Sequence, residues 1–294
     1  MTLFDGCGVA LVTPFGSDGN VNFDALEKLL EHVISGGADA LFACGTTGEP
    51  STMSQKERES VISFCVKRAA GKIPVFAGSG CNNTAEAAEF SRRCEKLGAD
   101  GLLVVTPYYN KCTQNGAYLH YKAVSEAVGI PIVAYNVPTR TSFNLAPQTL
   151  LRLAELKNVK AVKEASGDID QVLEAARLLC GVLDWYIGDD SLTVPAMSIG
   201  AKGVISVAAN VLPAQMHEIT ALCRDGKFRE AAMLGFKINP FVKKLFCEVN
   251  PIPCKKSLEL MGIEAGAPRL PLTELEPEHT EQLKAEMQKL GLIR

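Results

Sequence analysis

The sequence predicts a (β/α)8 barrel, and three observations carry that expectation. Eight short apolar runs rich in β-branched residues recur along the chain, at 6–15, 40–45, 74–80, 101–107, 131–138, 159–166, 185–190 and 203–210. They are near-continuous rather than alternating, as strands buried on both faces of a parallel sheet are. The stretches between them carry helix signals, so the repeat is βα throughout. A doubly wound sheet is the structural rival, but it usually has fewer strands and a G-x-G-x-x-G turn, and no such turn follows the first run.

The elements follow in order. After the first run, Phe23, Leu26, Leu29, Leu30, Val33 and Ile34 keep a 3.6-residue period, which Gly36-Gly37 ends. Ser54-x-x-Glu57 and Asn83-x-x-Glu86 have the form of capping boxes and open the next two helices. Gly98 and Gly181 close later ones. The eighth unit is complete by about residue 230, which predicts a barrel over 1–230 and a helical region over 231–294. The stretch 228–249 reads as helix with a bend at Asn239-Pro240. Asn250-Pro-Ile-Pro253 reads as a rigid break, and 257–261 and 278–290 as further helices. No low-complexity linker sets this tail apart, so it is expected to pack on the barrel, on a neighbouring subunit, or on both.

Composition bounds the function. Of 294 residues, 47% are hydrophobic and 21% charged, enough apolar surface for a large core and too much for a disordered chain. Thirty Lys and Arg against 33 Asp and Glu leave a net charge of -3, which offers no basic field to attract nucleic acid or an anionic membrane. No apolar run is long enough for a spanning helix, and the first residues, broken by Gly and Pro, do not read as a signal peptide. Ten cysteines with no C-x-x-C pair then read as free, mostly buried thiols of a reducing cytoplasm. His32, His120, His217 and His279 are scattered without metal-ligand spacing.

Barrel active sites lie at the C-terminal ends of the strands, and several runs end in unusual polar groups. In the sixth, strand alternation puts Ala161, Lys163 and Ala165 on one face and Val162 and Glu164 on the other. On the narrow inner face a lysine between two alanines would be poorly solvated, which lowers its pKa and frees the amine to attack a carbonyl. The same position also suits a structural ion pair, with Asp189 as partner, or a helix-facing side chain. In the fifth run Tyr135 shares a face with Val133 and could shuttle a proton, or be a core tyrosine with a satisfied hydroxyl. Arg140 could present its fork to a carboxylate, or lie on a surface loop. Cys44-Gly-Thr-Thr-Gly-Glu49 is a tight turn whose N–H groups and hydroxyls can converge on a carboxylate, or a plain turn before the Ser54 cap. Tyr108-Tyr109 reads as surface or interface packing.

Taken together, Gly45-Thr-Thr-Gly-Glu49, Val105-Thr-Pro-Tyr-Tyr-Asn110, Tyr135-Asn-Val-Pro-Thr-Arg140, Val162-Lys-Glu-Ala-Ser166, Gly203-Val-Ile-Ser-Val207 and Asn250-Pro-Ile-Pro253 resemble the dihydrodipicolinate synthase family. That family belongs to the pyruvate-dependent class I aldolases, with N-acetylneuraminate lyase as a sibling. The resemblance covers essentially the whole chain. It implies a Schiff base between Lys163 and pyruvate, whose enamine condenses with L-aspartate 4-semialdehyde on the diaminopimelate route to lysine. It implies that Thr46 and Thr47 cradle the pyruvate carboxylate, and that Tyr135 is the acid/base, linked through Thr47 to a Tyr109 from the adjacent subunit. The backbone at Gly188 and Ile205 would line the pocket, and Arg140 would hold the semialdehyde's carboxylate. It implies a cytoplasmic homotetramer, a dimer of dimers, with no metal or organic cofactor because the imine is the electron sink. The sialic-acid branch, with a Y-x-I-P-A-x-T stretch, lacks the arginine that stands here at 140. In many members lysine inhibits at the dimer interface. Asn82, Glu86 and Tyr108 match that site, whereas Pro50, Ser51, Gln55 and Arg58 differ from its His-containing form, so feedback is expected to be weak or absent.

Overall fold

Eight parallel strands close into a barrel in sequence order: β1 (Gly6–Ala10), β2 (Ala40–Ala43), β3 (Val75–Gly78), β4 (Gly101–Val105), β5 (Ile132–Asn136), β6 (Val159–Glu164), β7 (Asp184–Ile187) and β8 (Gly203–Ser206). This computed structural model describes residues 2–294. Around the barrel run α1 (Phe23–Ser35), α2 (Gln55–Ala69), α3 (Thr84–Lys96), α4 (Gln114–Ala127), the short α5 (Pro138–Thr141), α6 (Pro147–Leu153), α7 (Ile169–Leu179), α8 (Thr193–Ser198) and α9 (Pro213–Arg224). Each predicted run meets one strand, β7 starting one residue ahead of its run at Asp184, and every strand stops before its run does. The extra residues leave the ladder to build the loops at the C-terminal face. After β8, for instance, Ala208–Asn210 is a 3-10 turn whose Asn210 side chain donates to the Ala10 carbonyl and accepts from the Val12 N–H.

Local chemistry explains the helix starts. Ser54 and Glu57 form the reciprocal capping box, each side chain accepting from the other's backbone N–H. Asn83 caps α3 by accepting from the Ala85 and Glu86 N–H groups. The predicted second box is not closed, because Glu86 accepts from the Asn83 side-chain amide rather than from its backbone. In α1, Leu26, Leu29, Leu30 and Val33 are fully buried against the barrel, each worth about 1.5–3 kcal/mol of burial.

The core has two layers. Between barrel and helices lies the larger one. Inside the barrel, Phe4, Phe42, Phe76, Tyr186, Val133, Ala161 and Ile205 pack together. Phe4, just before β1, plugs the N-terminal end by stacking on Tyr186 at 4.2 Å, and the Tyr186 hydroxyl donates to the Phe4 carbonyl at 2.7 Å. The C-terminal end of the interior, towards Tyr135 and Lys163, is left for chemistry.

The tail consists of α10 (Phe228–Lys244), α11 (Ile252–Leu260) and α12 (Pro277–Lys289). The sequence boundary at 230/231 falls inside α10, which continues past Pro240 without a break. The helix predicted over 257–261 starts earlier, at Ile252, directly after a cis Asn250-Pro251 bond. α10 packs on α8 and α9, and α11 packs on the 3-10 turn after β8, so the tail reaches the barrel's C-terminal face.

The seam between β1 and β8 pairs Gly6 with Gly203. A Cβ on Gly203, at φ +158, would come within 1.8 Å of the Gly6 carbonyl oxygen. Gly203→Ala is therefore expected to open the seam and cost about 2–3 kcal/mol, a fall in Tm of roughly 5 °C or more by thermal melting. An unchanged Tm would show that the seam tolerates a side chain.

Candidate active site

Lys163 is where strand geometry and chemistry meet. The β5–β6–β7 register aligns Tyr135, Lys163 and Tyr186 side by side on the inner face. Its neighbour Glu164 points the other way, accepting from the Asn136 side chain at 3.0 Å and the Ser166 N–H at 2.7 Å. Small residues make room for the lysine stem, and a Cβ on Gly188 would sit 2.8 Å from Lys163 Cε. Lys163 Nζ lies 4.5 Å from the centre of the Tyr135 ring. Among the described residues it makes no ion pair, so neither the structural pair with Asp189 nor the helix-facing alternative describes it. Burial pulls its pKa down to about 8, the negative Asp190 opposes that, and the positive Arg140 adds to it.

Lys163 is not itself part of a cavity wall; it lies against the Tyr135 ring, and three further groups stand at or beside the cavity that Tyr135 lines. The loop after β2 tightens into a 3-10 turn, Thr46–Gly48. Thr46 lines the cavity, whereas Thr47 is buried, its hydroxyl accepting from the Asn250 side chain at 2.9 Å. Burial raises the Tyr135 phenol above its ordinary pKa, while the Arg140 charge and a hydrogen bond with Thr46 pull it back, so Tyr135 meets the Thr46 hydroxyl and not, as the resemblance implies, that of Thr47, which is taken up by Asn250. Unlike Tyr186, Tyr135 keeps its hydroxyl at the cavity rather than locked onto backbone. Arg140, in α5, is exposed at the cavity wall, with one 3.4 Å contact to the Asn250 carbonyl. The cavity holds about 310 Å³ and is walled by Thr46, Tyr135, Arg140, Tyr108 and Arg58 among others. Ile205 is fully buried in the inner cluster beneath it.

Not every sequence-predicted residue converges. Tyr109 is 88% exposed, at φ +69, and stays out of its own chain's cavity. Tyr108 borders the cavity, and Asn82, which donates to the Tyr108 carbonyl at 3.4 Å, and Glu86 are exposed beside it. Sequence reasoning missed Asp190. It is buried just past β7, its Oδ2 accepting from the Val207 and Ala208 N–H groups while Oδ1 meets no donor. Burial pushes its pKa up to about 6 against those donors. The Asp189-Asp190 pair at a strand end is a signal, but the structure places the second of the two, not Asp189, in the interior. Asn250, which touches both Thr47 and Arg140, was read only as part of a break. Among the described residues, no cluster of three His, Cys, Asp or Glu side chains could hold a metal ion, and no helix is long and apolar enough to cross a membrane.

Comparison with known proteins places these features in a context. The sequence profile of the dihydrodipicolinate synthetase family matches residues 3–290. The chain is 49% identical to the 4-hydroxy-tetrahydrodipicolinate synthase of Thermoanaerobacter sp. (strain X514), over 100% of this chain and 99% of that protein. Among solved structures it is similar to the chloride-inhibited dihydrodipicolinate synthase of Acinetobacter baumannii complexed with pyruvate, with TM-score 0.97, 43% identity, and coverage of 99% of this chain and 100% of that one. It is equally similar in shape to a monomeric dihydrodipicolinate synthase variant, with TM-score 0.97, 42% identity, and coverage of 99% and 98%.

A lysine with its pKa near 8 is mostly ammonium at neutral pH and becomes a nucleophile above it. The rate of adduct formation between Lys163 and a 2-keto acid, trapped by borohydride, should rise about tenfold per pH unit at low pH and level off above about pH 8. Asp190→Asn, which removes the charge that favours the ammonium, should move that midpoint lower. A rate independent of pH between about 6 and 9 would contradict the assignment.

Proposed function

The chain belongs to the dihydrodipicolinate synthetase family, and on that premise we propose how its residues carry the reaction. The activity is that of a 4-hydroxy-tetrahydrodipicolinate synthase, in the diaminopimelate route to lysine. The observation that carries the residue assignment is Lys163, buried on the inner face with its ammonium disfavoured by burial.

The Lys163 amine adds to C2 of pyruvate, and the carbinolamine loses water to give an imine. The Thr46-Thr47 turn cradles the pyruvate carboxylate. Tyr135, whose ring lies against Nζ, passes the protons that the carbinolamine gives up and takes on. Loss of a C3 proton gives the enamine, with the imine nitrogen as electron sink, so neither metal nor organic cofactor is needed. C3 then bonds to the aldehyde carbon of L-aspartate 4-semialdehyde, whose carboxylate Arg140 holds. The substrate's own amine attacks the imine carbon, closes the ring and returns Lys163 as the free amine. The backbone at Gly188, against the Lys163 stem, and at Ile205, beneath the cavity, forms the floor of the site.

A shared site is supported by Tyr109, a large aromatic held in the left-handed region and almost fully exposed. Its hydroxyl serves the Thr46–Tyr135 pair of a neighbouring subunit. Ile199, after α8, and Met233 and Phe236, on the neighbouring α10, are also exposed and support a second contact, hence a dimer of dimers. We place the reaction in the cytoplasm. Lysine feedback through Asn82, Glu86 and Tyr108 is weak or absent, because Arg58 sets a cation on the wall where an ammonium would have to bind.

Incubation with pyruvate and borohydride should add one reduced pyruvate to the peptide containing Lys163. Arg140→Ala should leave that adduct intact while raising the KM for the semialdehyde roughly tenfold or more, the worth of a charge-assisted hydrogen bond. An adduct elsewhere, or faster turnover of N-acetylneuraminate than of the semialdehyde, would overturn the reading. Mixed Tyr109→Phe and Thr46→Val subunits should regain activity. No recovery despite demonstrated subunit exchange would count against a shared relay.

A further inference from the structure

One buried ion pair belongs neither to the reacting groups nor to the barrel's hydrophobic layers. Lys255 Nζ on α11 meets Glu49 Oε1 at 2.7 Å, and both side chains are 1% exposed. The lysine also lies over the Phe15 ring at 4.2 Å, with the Arg269 guanidinium against the same ring at 4.2 Å. Glu49 Oε2 accepts from the Arg269 N–H at 3.0 Å. Arg269 is itself tied to Glu57, to the Thr52 carbonyl at 2.8 Å and to the Gly19 carbonyl at 2.7 Å. Both oxygens of Glu49 are thus held by the tail, 206 and 220 residues further along the chain.

Glu49 sits two residues from Thr47, and its backbone ends the Thr46–Gly48 turn in the left-handed region, at φ +55. A non-glycine residue persists there only when its surroundings over-determine it. Here the carboxylate supplies that determination, together with the Glu49 N–H donating to the Thr46 carbonyl at 3.2 Å and the Thr13 hydroxyl donating to the Gly48 carbonyl at 2.7 Å. Five residues before Lys255, Asn250 donates to the Thr47 hydroxyl. An apolar pair of equal volume would often stabilise a core at least as well as two buried charges. What the charges add is direction: one position for Glu49, and hence one for the turn that precedes it.

We propose that Lys255 is a positioning residue for pyruvate: by clamping Glu49 from the C-terminal tail it sets the Thr46-Thr47 turn at the place where the pyruvate carboxylate binds. The proposal rests on the reading of that turn as the carboxylate cradle. Lys255 touches no substrate, and its effect passes entirely through Glu49.

The test uses the full-length protein with Lys255→Met and, because a lone buried carboxylate could unfold the chain, the neutral double variant Glu49→Gln/Lys255→Met. Either folded variant should show a pyruvate KM raised by roughly tenfold or more, the scale of one misaligned hydrogen bond to a charged group, with a much smaller loss of kcat. The semialdehyde KM should stay within about twofold, and the pH midpoint of imine formation at Lys163 should not move. A role in stability alone would lower Tm and leave the pyruvate KM unchanged, and that result overturns the proposal. Thr47→Val is the control. If it raises the pyruvate KM while the Lys255 variants do not, the clamp is wrong; if it does not raise it, the cradle reading fails first.

Discussion

The structure depends on keeping one amine out of water. A lysine needs to lose its proton before it can attack a carbonyl, and burial is the means the barrel uses. The interior is filled by Phe4, Tyr186, Phe42 and Phe76 at one end and left narrow at the other, with Ala161, Ala165 and Gly188 around the Lys163 stem. Moving the pKa from 10.5 to about 8 means that holding the proton costs the folded protein on the order of 3 kcal/mol. That cost is fully present below about pH 8, where folded and unfolded lysines are both charged, and fades as pH rises towards the ordinary lysine value. Asp190 limits it. A carboxylate in direct contact would have stabilised the ammonium and silenced the amine. Held off by the Val207 and Ala208 N–H groups, it moderates the shift without cancelling it.

Local rules made much of this legible from the sequence. Strand alternation has a period of two, so placing Lys163 indoors required only that one face of β6 be inward, and Glu164 on the opposite face agrees. The Ser54–Glu57 box closes because both partners lie within one turn. Where a contact is not set by local spacing, the reading failed or stayed open. Asp189 and Asp190 could not be told apart because the chain leaves the strand after Ile187 and the period lapses. Asn83-x-x-Glu86 matches the box pattern, yet side-chain rotation gives Glu86 a different donor. Across the 203-residue separation of Thr47 and Asn250 no periodic signal shows that the two meet.

The tail, read from sequence as an appendage, supplies order that the barrel loops lack. Loops at the C-terminal face are short of backbone partners, and three of the residues fixing them, Asn250, Lys255 and Arg269, come from beyond α10. A closed barrel positions strand residues such as Lys163 and Tyr135 on its own. Residues in the turns, such as Thr47, need an external reference, and the tail provides it from the side opposite the strands.

Asn250 has a consequence of its own. Its side chain holds Thr47 and its carbonyl meets Arg140, so one residue touches both groups to which the proposed reaction assigns a carboxylate. The gap between those groups is spanned by a single peptide unit and one amide side chain. The site behaves as a gauge. On the proposed reaction, two acids fit when their carboxylates, joined by the new carbon–carbon bond, span that gauge.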